Sequence, residues 1–414
     1  MKKFKVLAIG DIADNIFTLK KFTKRSEIHL ITFPRKQDAL LTNSEDDVEF
    51  FQSLLISKQV QKVREIKENY DLCLAMSWAG ARIAYLAGLN YLMYFVGGDI
   101  ATPPFVKNPR LSYLKDPAYR LNIVERGFYK KVFDSAICCV GGQVEYNLLV
   151  KYRKDAIRLD RVAVDTTLFN EMIEPVNLPK RKFTFLSAQR IGMEKGHDII
   201  WKALRLCKSD FDVLQVKWFI ETTDEEREFN KNLLNDMPPQ VKLIPLIMRK
   251  DLGKYFAFAD AIIGQMRVGT QGAIEREAAF CKKPVLCYTD PNMLMNMGDK
   301  KISPPFLPHN QDPIELAELI DRVVQSEEYR LKLAKEEYEY VKELSDPDLV
   351  IDEWENIFEK LITEHRTINR KSFPCRNKLE NFVSRFLEKY YYSKTMRAKN
   401  IKAWGKNEYE QLTN

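Results

Sequence analysis

Two short stretches in the second half of the 414-residue chain carry residues that can act on phosphate. In the first, residues 188–197 (AQRIGMEKGH), Arg190 and Lys195 flank a turn that also contains Gly192 and Gly196. An Arg fork and a Lys point charge converging on one point suit a diphosphate, and they can offset charge on a departing phosphate. The glycines allow backbone to come close. The Gly-Lys-Ser/Thr ending of a Walker loop is absent. In the second stretch, residues 268–277 (VGTQGAIERE), Gly269, Thr270, Gln271 and Gly272 lead into a helix. Backbone N–H groups from Thr270 to Ala273 can cradle phosphate at that helix start, and Glu277, one turn further on, can accept hydrogen bonds from ribose hydroxyls. Taken singly, the first loop reads equally as solvated charges on an ordinary turn, and Glu275 and Glu277 as carboxylates favoured near a helix N-terminus. Taken together, the two loops predict a nucleoside diphosphate ligand. Its charge would be neutralised by protein cations rather than by a divalent metal. The four histidines, His29, His197, His309 and His365, have no metal-ligand spacing.

Each loop must be held at a strand end. Residues 183–187 read as a buried strand before the first loop, with a helix from His197 onward; 261–263 read as a strand before the second, with a helix over 273–281. Further strands are expected at 216–220, 241–244 and 284–288, and helices at 252–259, 313–324, 329–344 and 350–361. Over 313–324, Ile314, Ala317, Ile320 and Val324 have the three-four spacing of one packed face. The first half has the same rhythm. Apolar runs at 6–9, 29–33, 71–76, 91–96 and 135–140 alternate with helical patterns at 12–22, 54–66, 80–86 and 125–132. Such alternation indicates parallel sheets covered on both faces, with ligands outside the carboxyl ends of the strands. The turn-rich segment 174–179 (EPVNLP) separates the two series. The expected division is a first α/β domain at 1–170, a second at 171–362, and a tail at 363–414.

Composition limits the alternatives. With 45% hydrophobic and 30% charged residues the chain is not mainly disordered. The net charge of +7 is local: residues 363–414 hold twelve Lys/Arg against five Glu and no Asp, which accounts for all of it. A globally basic surface built to wrap nucleic acid is therefore not expected, and no nucleic-acid partner is expected. Seven Cys without a CxxC read as buried free thiols in a reducing compartment. The opening MKKFKVLAIGD reads as a first strand rather than a signal peptide, and no run of about eighteen apolar residues is present. A cytoplasmic protein is expected. In the tail, Phe373, Leu379, Phe382, Val383, Phe386, Leu387, Tyr390, Tyr391 and Tyr392 are interleaved with Lys and Arg. Such a segment either packs back on the first domain or lies on an anionic membrane surface, which would place the protein peripherally on the inner face.

These residues resemble the GT4 class (glycosyltransferase group 1) of GT-B glycosyltransferases. Residues 164–169 (VDTTLF) resemble that family's Gly-Val-Asp-x-x-x-Phe segment, and Arg190 and Lys195 match its Arg-x4-Lys pair. Residues 256–260 (FAFAD) match its Ala-Asp element, and 277–285 (EAAFCKKPV) resemble Glu-Ala-x-Ala-x-Gly-x-Pro-Val. The resemblance implies an α/β chain of GT-B architecture, two Rossmann-like domains facing a central cleft, with C-terminal helices returning to the first domain. It implies a retaining transfer from a nucleoside-diphosphate sugar to a hydroxyl acceptor, a glycan or a lipid-linked sugar, with no metal or other cofactor. Arg190 and Lys195 would contact the donor diphosphate and Glu277 the donor ribose. In the first domain, residues 96–100 (VGGDI) resemble a strand end reading His-Gly-x-Asp-Ile. Asp99 would orient an acceptor hydroxyl or assist its deprotonation, or else cap the turn. Gly10, at the end of the first strand, takes the place of the loop facing the donor phosphates. Two positions depart from the family pattern: Gly269 stands where it has a Glu that contacts the donor sugar, and Val96 where it has a His. Gln265, Arg267 and Glu275 are the near neighbours that could replace the Glu. The rival readings are a non-catalytic nucleotide-sugar-binding subunit and a sugar-nucleotide epimerase of similar fold.

Overall fold

A computed structural model describes residues 3–34, 48–101, 103–106, 123–179, 182–219, 224–368, 382 and 406–413. The chain forms two compact units. One comprises the described residues up to Leu159 together with those from Ile351 onward; the other is Asp160–Val350.

The first unit contains β1 (Phe4–Ile9), α1 (Asn15–Phe22), β2 (Ser26–Thr32), β3 (Glu49–Phe50), α2 (Ile56–Ile66), β4 (Leu72–Met76), α3 (Ser77–Ala87), β5 (Tyr91–Phe95), α4 (Ile123–Ser135), β6 (Cys138–Gly141), α5 (Gln143–Leu149) and β7 (Ile157–Arg158). Its strands form one parallel sheet in the order β3-β2-β1-β4-β5-β6-β7. Every residue of β4, β5 and β6 is buried, as a sheet covered on both faces requires. The strand order reverses between β1 and β4, and the α3 backbone comes so close to β1 that a Cβ on Gly80 would lie 2.3 Å from the Ile9 carbonyl oxygen.

The second unit contains β8 (Phe183–Ser187), α6 (His197–Leu206), β9 (Phe211–Val216), α7 (Asp224–Asn235), β10 (Val241–Ile244), α8 (Arg249–Phe258), β11 (Ala261–Ile263), α9 (Ala273–Phe280), β12 (Val285–Leu286), the hairpin β13 (Met295–Met297) and β14 (Lys300–Ile302), α10 (Pro313–Gln325) and α11 (Glu327–Ser345). Strands β10-β9-β8-β11-β12 form a parallel sheet whose order reverses between β8 and β11. Both sheets are thus Rossmann-like, and in each the reversal marks the place where such folds bind ligands.

Two sequence expectations need correction. The strand expected at 216–220 lies at Phe211–Val216, because the buried polar Gln215 interrupts the apolar run that marks a central strand. The packed face of α10 is Leu316, Ala317, Ile320 and Val323. Ile314 is exposed: Asp312 caps the helix through the Ile314 N–H, so Ile314 falls in the first turn, outside the buried stripe.

Helix α12 (Pro347–Ile368) carries the chain back into the first unit. There Trp354 stacks edge-on against Tyr94 of β5, ring centroids 4.8 Å apart. The fully buried Glu355 Oε1 accepts from the N–H groups of Lys24, Arg25 and Ser26 and from the Ser26 hydroxyl, at 2.7–2.9 Å. The last helix, α13 (Lys406–Thr413), ends on the same unit: the Leu412 carbonyl accepts from the Leu54 N–H at 2.9 Å and the Ser53 hydroxyl at 2.8 Å. Of the tail aromatics, Phe382 is exposed, and the others named above lie outside the described residues. Among the described residues no helix is long and apolar enough to cross a membrane.

Glu355 accepts from three backbone donors. Glu355→Ala should lower the unfolding free energy by about 3 kcal/mol. Urea unfolding checks this, and an unchanged midpoint would remove the role given to that carboxylate.

Candidate functional site

The first loop leaves β8 at the reversal of the second sheet. Its shape is set by polar side chains buried beneath it. Gln189 Nε2 donates to the Gly264 carbonyl at 2.6 Å, and Gln215 Nε2 donates to the Gln189 carbonyl at 3.1 Å. His197 is fully buried; its Nδ1 accepts from the Gly192 N–H at 3.4 Å and its Nε2 lies 3.1 Å from Gln215 Oε1. Accepting at Nδ1 assigns the proton to Nε2, and burial above all pushes the imidazole pKa down to about 4. A neutral ring therefore pins the turn at neutral pH. Gly196 is left-handed (φ +74°), and a Cβ there would lie 3.0 Å from the Met266 backbone. At the same point the Met266 N–H donates to the Lys195 carbonyl at 2.9 Å. Arg190 pairs with Glu194 at 2.6 Å and is partly exposed, while the Lys195 ammonium has no partner among the described residues.

The second loop leaves β11, the strand next to β8, and is folded around Gln265. Gln265 Oε1 accepts from the N–H groups of Arg267 and Val268 at 2.8 and 2.5 Å, and Nε2 donates to the carbonyls of Thr270 and Tyr288 at 2.7 and 3.0 Å. The buried Glu275 accepts from the Gln265 N–H at 2.9 Å and the Gly272 N–H at 2.8 Å. Of the amides expected to face a phosphate, that of Gly272 is thus occupied. Those of Thr270, Gln271 and Ala273 have no partner among the described residues. Gly269 is left-handed (φ +81°), and Gln271, itself buried, donates to the Tyr340 hydroxyl at 3.1 Å. Arg267 forms a two-pronged pair with Asp198, both contacts 2.7 Å, joining the second loop to the helix after the first. All three residues considered as replacements for a carboxylate at Gly269 are therefore committed to the loop's own structure. Glu277, 2% exposed, forms a buried ion pair with Arg249 of α8, whose guanidinium lies over the Phe169 ring at 5.2 Å.

Arg190, Lys195, Gly269, Thr270, Gln271, Gly272 and Glu277 are thus carried by two adjoining loops and the helix that follows the second. Gly10 and Asp99 stand at the corresponding edge of the first sheet, after β1 and β5. Gly10 is left-handed (φ +85°), and a Cβ there would meet the Met76 carbonyl oxygen at 2.9 Å. The next residue, Asp11, caps α1 by accepting from the Ile16 and Phe17 N–H groups at 3.0 Å. Asp99 ends a single turn of 3-10 helix, and its carbonyl accepts from the Trp78 indole at 2.7 Å. Its Oδ2 is buried without a hydrogen-bond partner among the described residues. Burial, then the nearby Glu145, push its pKa up to about 6. Among the described residues no group of three His, Cys, Asp or Glu is placed to hold a metal. The thiols of Cys138, Cys139, Cys207 and Cys281 are pushed up to about 11–12 by burial, so they are poor nucleophiles. Sequence reasoning did not find Arg249, the His197–Gln215 contact or the link from Glu145 to the turn that carries Asp99. The available signal was polar residues set inside apolar stretches, Gln215 and Gln265 above all.

The pH dependence of this scaffold has a definite sign. The folded state holds His197 well below the ordinary histidine value, so the unfolded chain binds the extra proton first. This stability is fully present above about pH 6.5 and is lost as pH falls toward 4, up to about 3 kcal/mol in all. Urea unfolding of the wild type and His197→Gln at pH 7.5 and 5 should show their stability difference shrinking at the lower pH. A pH-independent difference would contradict a neutral buried imidazole.

Residues 169–340 match the family model described as glycosyl transferases group 1, a span holding both loops and Glu277. None of the curated proteins matches the sequence. Among solved structures, sucrose-phosphate synthase from Thermosynechococcus elongatus superposes with a TM-score of 0.63 at 15% identity, over 87% of this chain and 100% of that one. Anabaena HepE, in complex with UDP and glucose, superposes with a TM-score of 0.61 at 14% identity, over 86% of this chain and 100% of that one. A UDP-N-acetylglucosamine 2-epimerase follows at 0.50 and 14% identity, over 90% of this chain and 100% of that one. Residues 169–340 thus match the glycosyl transferases group 1 model, and the chain has the fold of the GT-B glycosyltransferases.

Proposed function

We propose that this protein is a glycosyltransferase that moves a sugar from a nucleoside-diphosphate donor to a hydroxyl acceptor with retention of anomeric configuration. The observation that carries the reading is the joining of the Arg190–Lys195 loop to the 264–272 loop within the group 1 region, through the Met266 N–H and the Lys195 carbonyl. HepE, which shares the fold, is known with UDP and glucose bound. In the reaction, the bond from the sugar anomeric carbon to the diphosphate oxygen breaks and its electron pair leaves with the phosphate. The acceptor oxygen bonds to that carbon on the same face, and the acceptor proton passes to a base, for which Asp99 is the candidate. Arg190 and Lys195 stabilise the departing diphosphate without a metal or other cofactor. The amides of Thr270 and Gln271, beside Gly269 and Gly272, receive phosphate at the start of α9. Glu277, held by Arg249, meets the donor ribose. Lys195→Ala should lower turnover by about 10² or more; steady-state rates with a panel of nucleotide sugars and acceptors check this, and an unchanged rate would reject the role. Donor binding in a thermal-shift panel without transfer to any acceptor would instead favour a non-catalytic binding subunit, and sugar conversion without an acceptor would favour an epimerase.

The acceptor side is proposed to be a lipid-linked or membrane-proximal glycan, with residues 363–414 on an anionic inner membrane surface. The net +7 of that segment and its aromatic residues support this. Full-length protein should co-sediment with phosphatidylglycerol vesicles, and a variant with Arg385, Lys389, Lys394 and Arg397 all changed to Gln should bind at least tenfold more weakly. Equal absence of binding would remove the membrane reading.

A further inference from the structure

Asp99 is held by an acidic neighbour on another element. Glu145, in the first turn of α5, accepts from the Gly97 N–H through Oε1 at 2.6 Å, and Gly97 opens the turn that ends at Asp99. The approach depends on the end of β6: a Cβ on Gly141 would lie 2.7 Å from the Glu145 Cβ. Gly97 itself is left-handed (φ +75°), with no atom of the described residues within 4 Å of where a Cβ would project. Strands β5 and β6 carry no charged residue, and α5 carries only Glu145. Helix α3 carries only Arg82, which donates to the Tyr129 hydroxyl at 3.2 Å, and α4 carries Glu125, Arg126, Lys130, Lys131 and Asp134, of which Lys130 pairs with Asp134. Among the described residues, Glu145 is the charged group that acts on Asp99.

We propose that Glu145 is a positioning residue for Asp99, fixing the turn that carries it and setting a second negative charge beside it. The inference rests on the reading of Asp99 as the acceptor-side base. A neighbouring negative charge disfavours a second ionised carboxylate, which makes Asp99 a stronger base near neutral pH than an ordinary aspartate. A purely structural Glu145 would hold the turn but leave the ionisation of Asp99 unmoved.

The test separates these roles on the full-length chain. Glu145→Gln keeps an oxygen that can accept from Gly97 and removes the charge. The Trp78 indole is bonded to the Asp99 carbonyl, so tryptophan emission followed from pH 4.5 to 7.5 gives a readout that needs no substrate. Subtracting the Asp99→Asn titration isolates the Asp99 step, expected near pH 6 in the wild type and roughly one unit lower in Glu145→Gln. An unmoved step, or no step that depends on Asp99, overturns the proposal. In parallel, the pH profile of UDP release from UDP-glucose should lose its acid limb to lower pH in Glu145→Gln, with KM unchanged. If Asp99→Asn releases UDP as fast as the wild type while the emission step still moves, the base assigned to the acceptor side is wrong and the Glu145–Asp99 coupling stands.

Discussion

The second unit depends on a close approach between two loops at the β8–β11 reversal. Lys195 offers its carbonyl to Met266, and Gly196 removes the side chain that would hold the backbones apart. Without that approach Arg190 and Lys195 would belong to one mobile turn and the 264–272 amides to another. Joined, they form a single surface on which a cation pair and a helix start share one edge of a parallel sheet. The Arg267–Asp198 pair and the Gln189–Gly264 hydrogen bond reinforce the same junction from its two sides.

Uncharged or internally neutralised polar groups support this edge from below. Gln189, Gln215, Gln265 and His197 are all buried, and each makes hydrogen bonds to loop backbone or to another member of the set. A buried polar group without a partner is costly, so such a network is stable only in the loop conformation that satisfies it. That makes the loops rigid without placing further charge near the exposed cations. Glu275 and Glu277 follow the same logic with formal charge: one is capped by backbone amides, the other by Arg249. Among the described residues of the first loop, the positive groups left for a ligand are consequently Arg190, in part, and Lys195.

The first unit uses the same device for a different purpose. Glu355 gathers three amides and a hydroxyl where β2 begins, fixing α12 to the sheet. Glu145 accepts from the Gly97 amide at the turn after β5, but there the neighbouring Asp99 is also an acid. Placing two carboxylates together opposes stability, and such arrangements mark functional sites more often than scaffolding.

Much of this was legible in the amino-acid order. Short apolar runs alternating with helical periodicity determined the two parallel α/β units, because strands buried on both faces need continuous apolar residues. Arg190, Lys195 and the glycines of both loops were legible because their chemistry is local. What the sequence could not determine was how each polar side chain is used. Gln215 disguised β9, since a buried glutamine looks like a surface residue until its partners, His197 and the Gln189 carbonyl, are known. Glu277 read as an open acceptor, and only packing showed Arg249, twenty-eight positions earlier, against it. Glu145 gave no signal at all. Its meaning arises from β5 and β6 lying side by side, which brings Gly97 within reach across forty-eight positions of sequence. Periodicity specifies which face of an element is buried; the partner of a buried charge is chosen by strand order and loop approach, and those exist only in the folded chain.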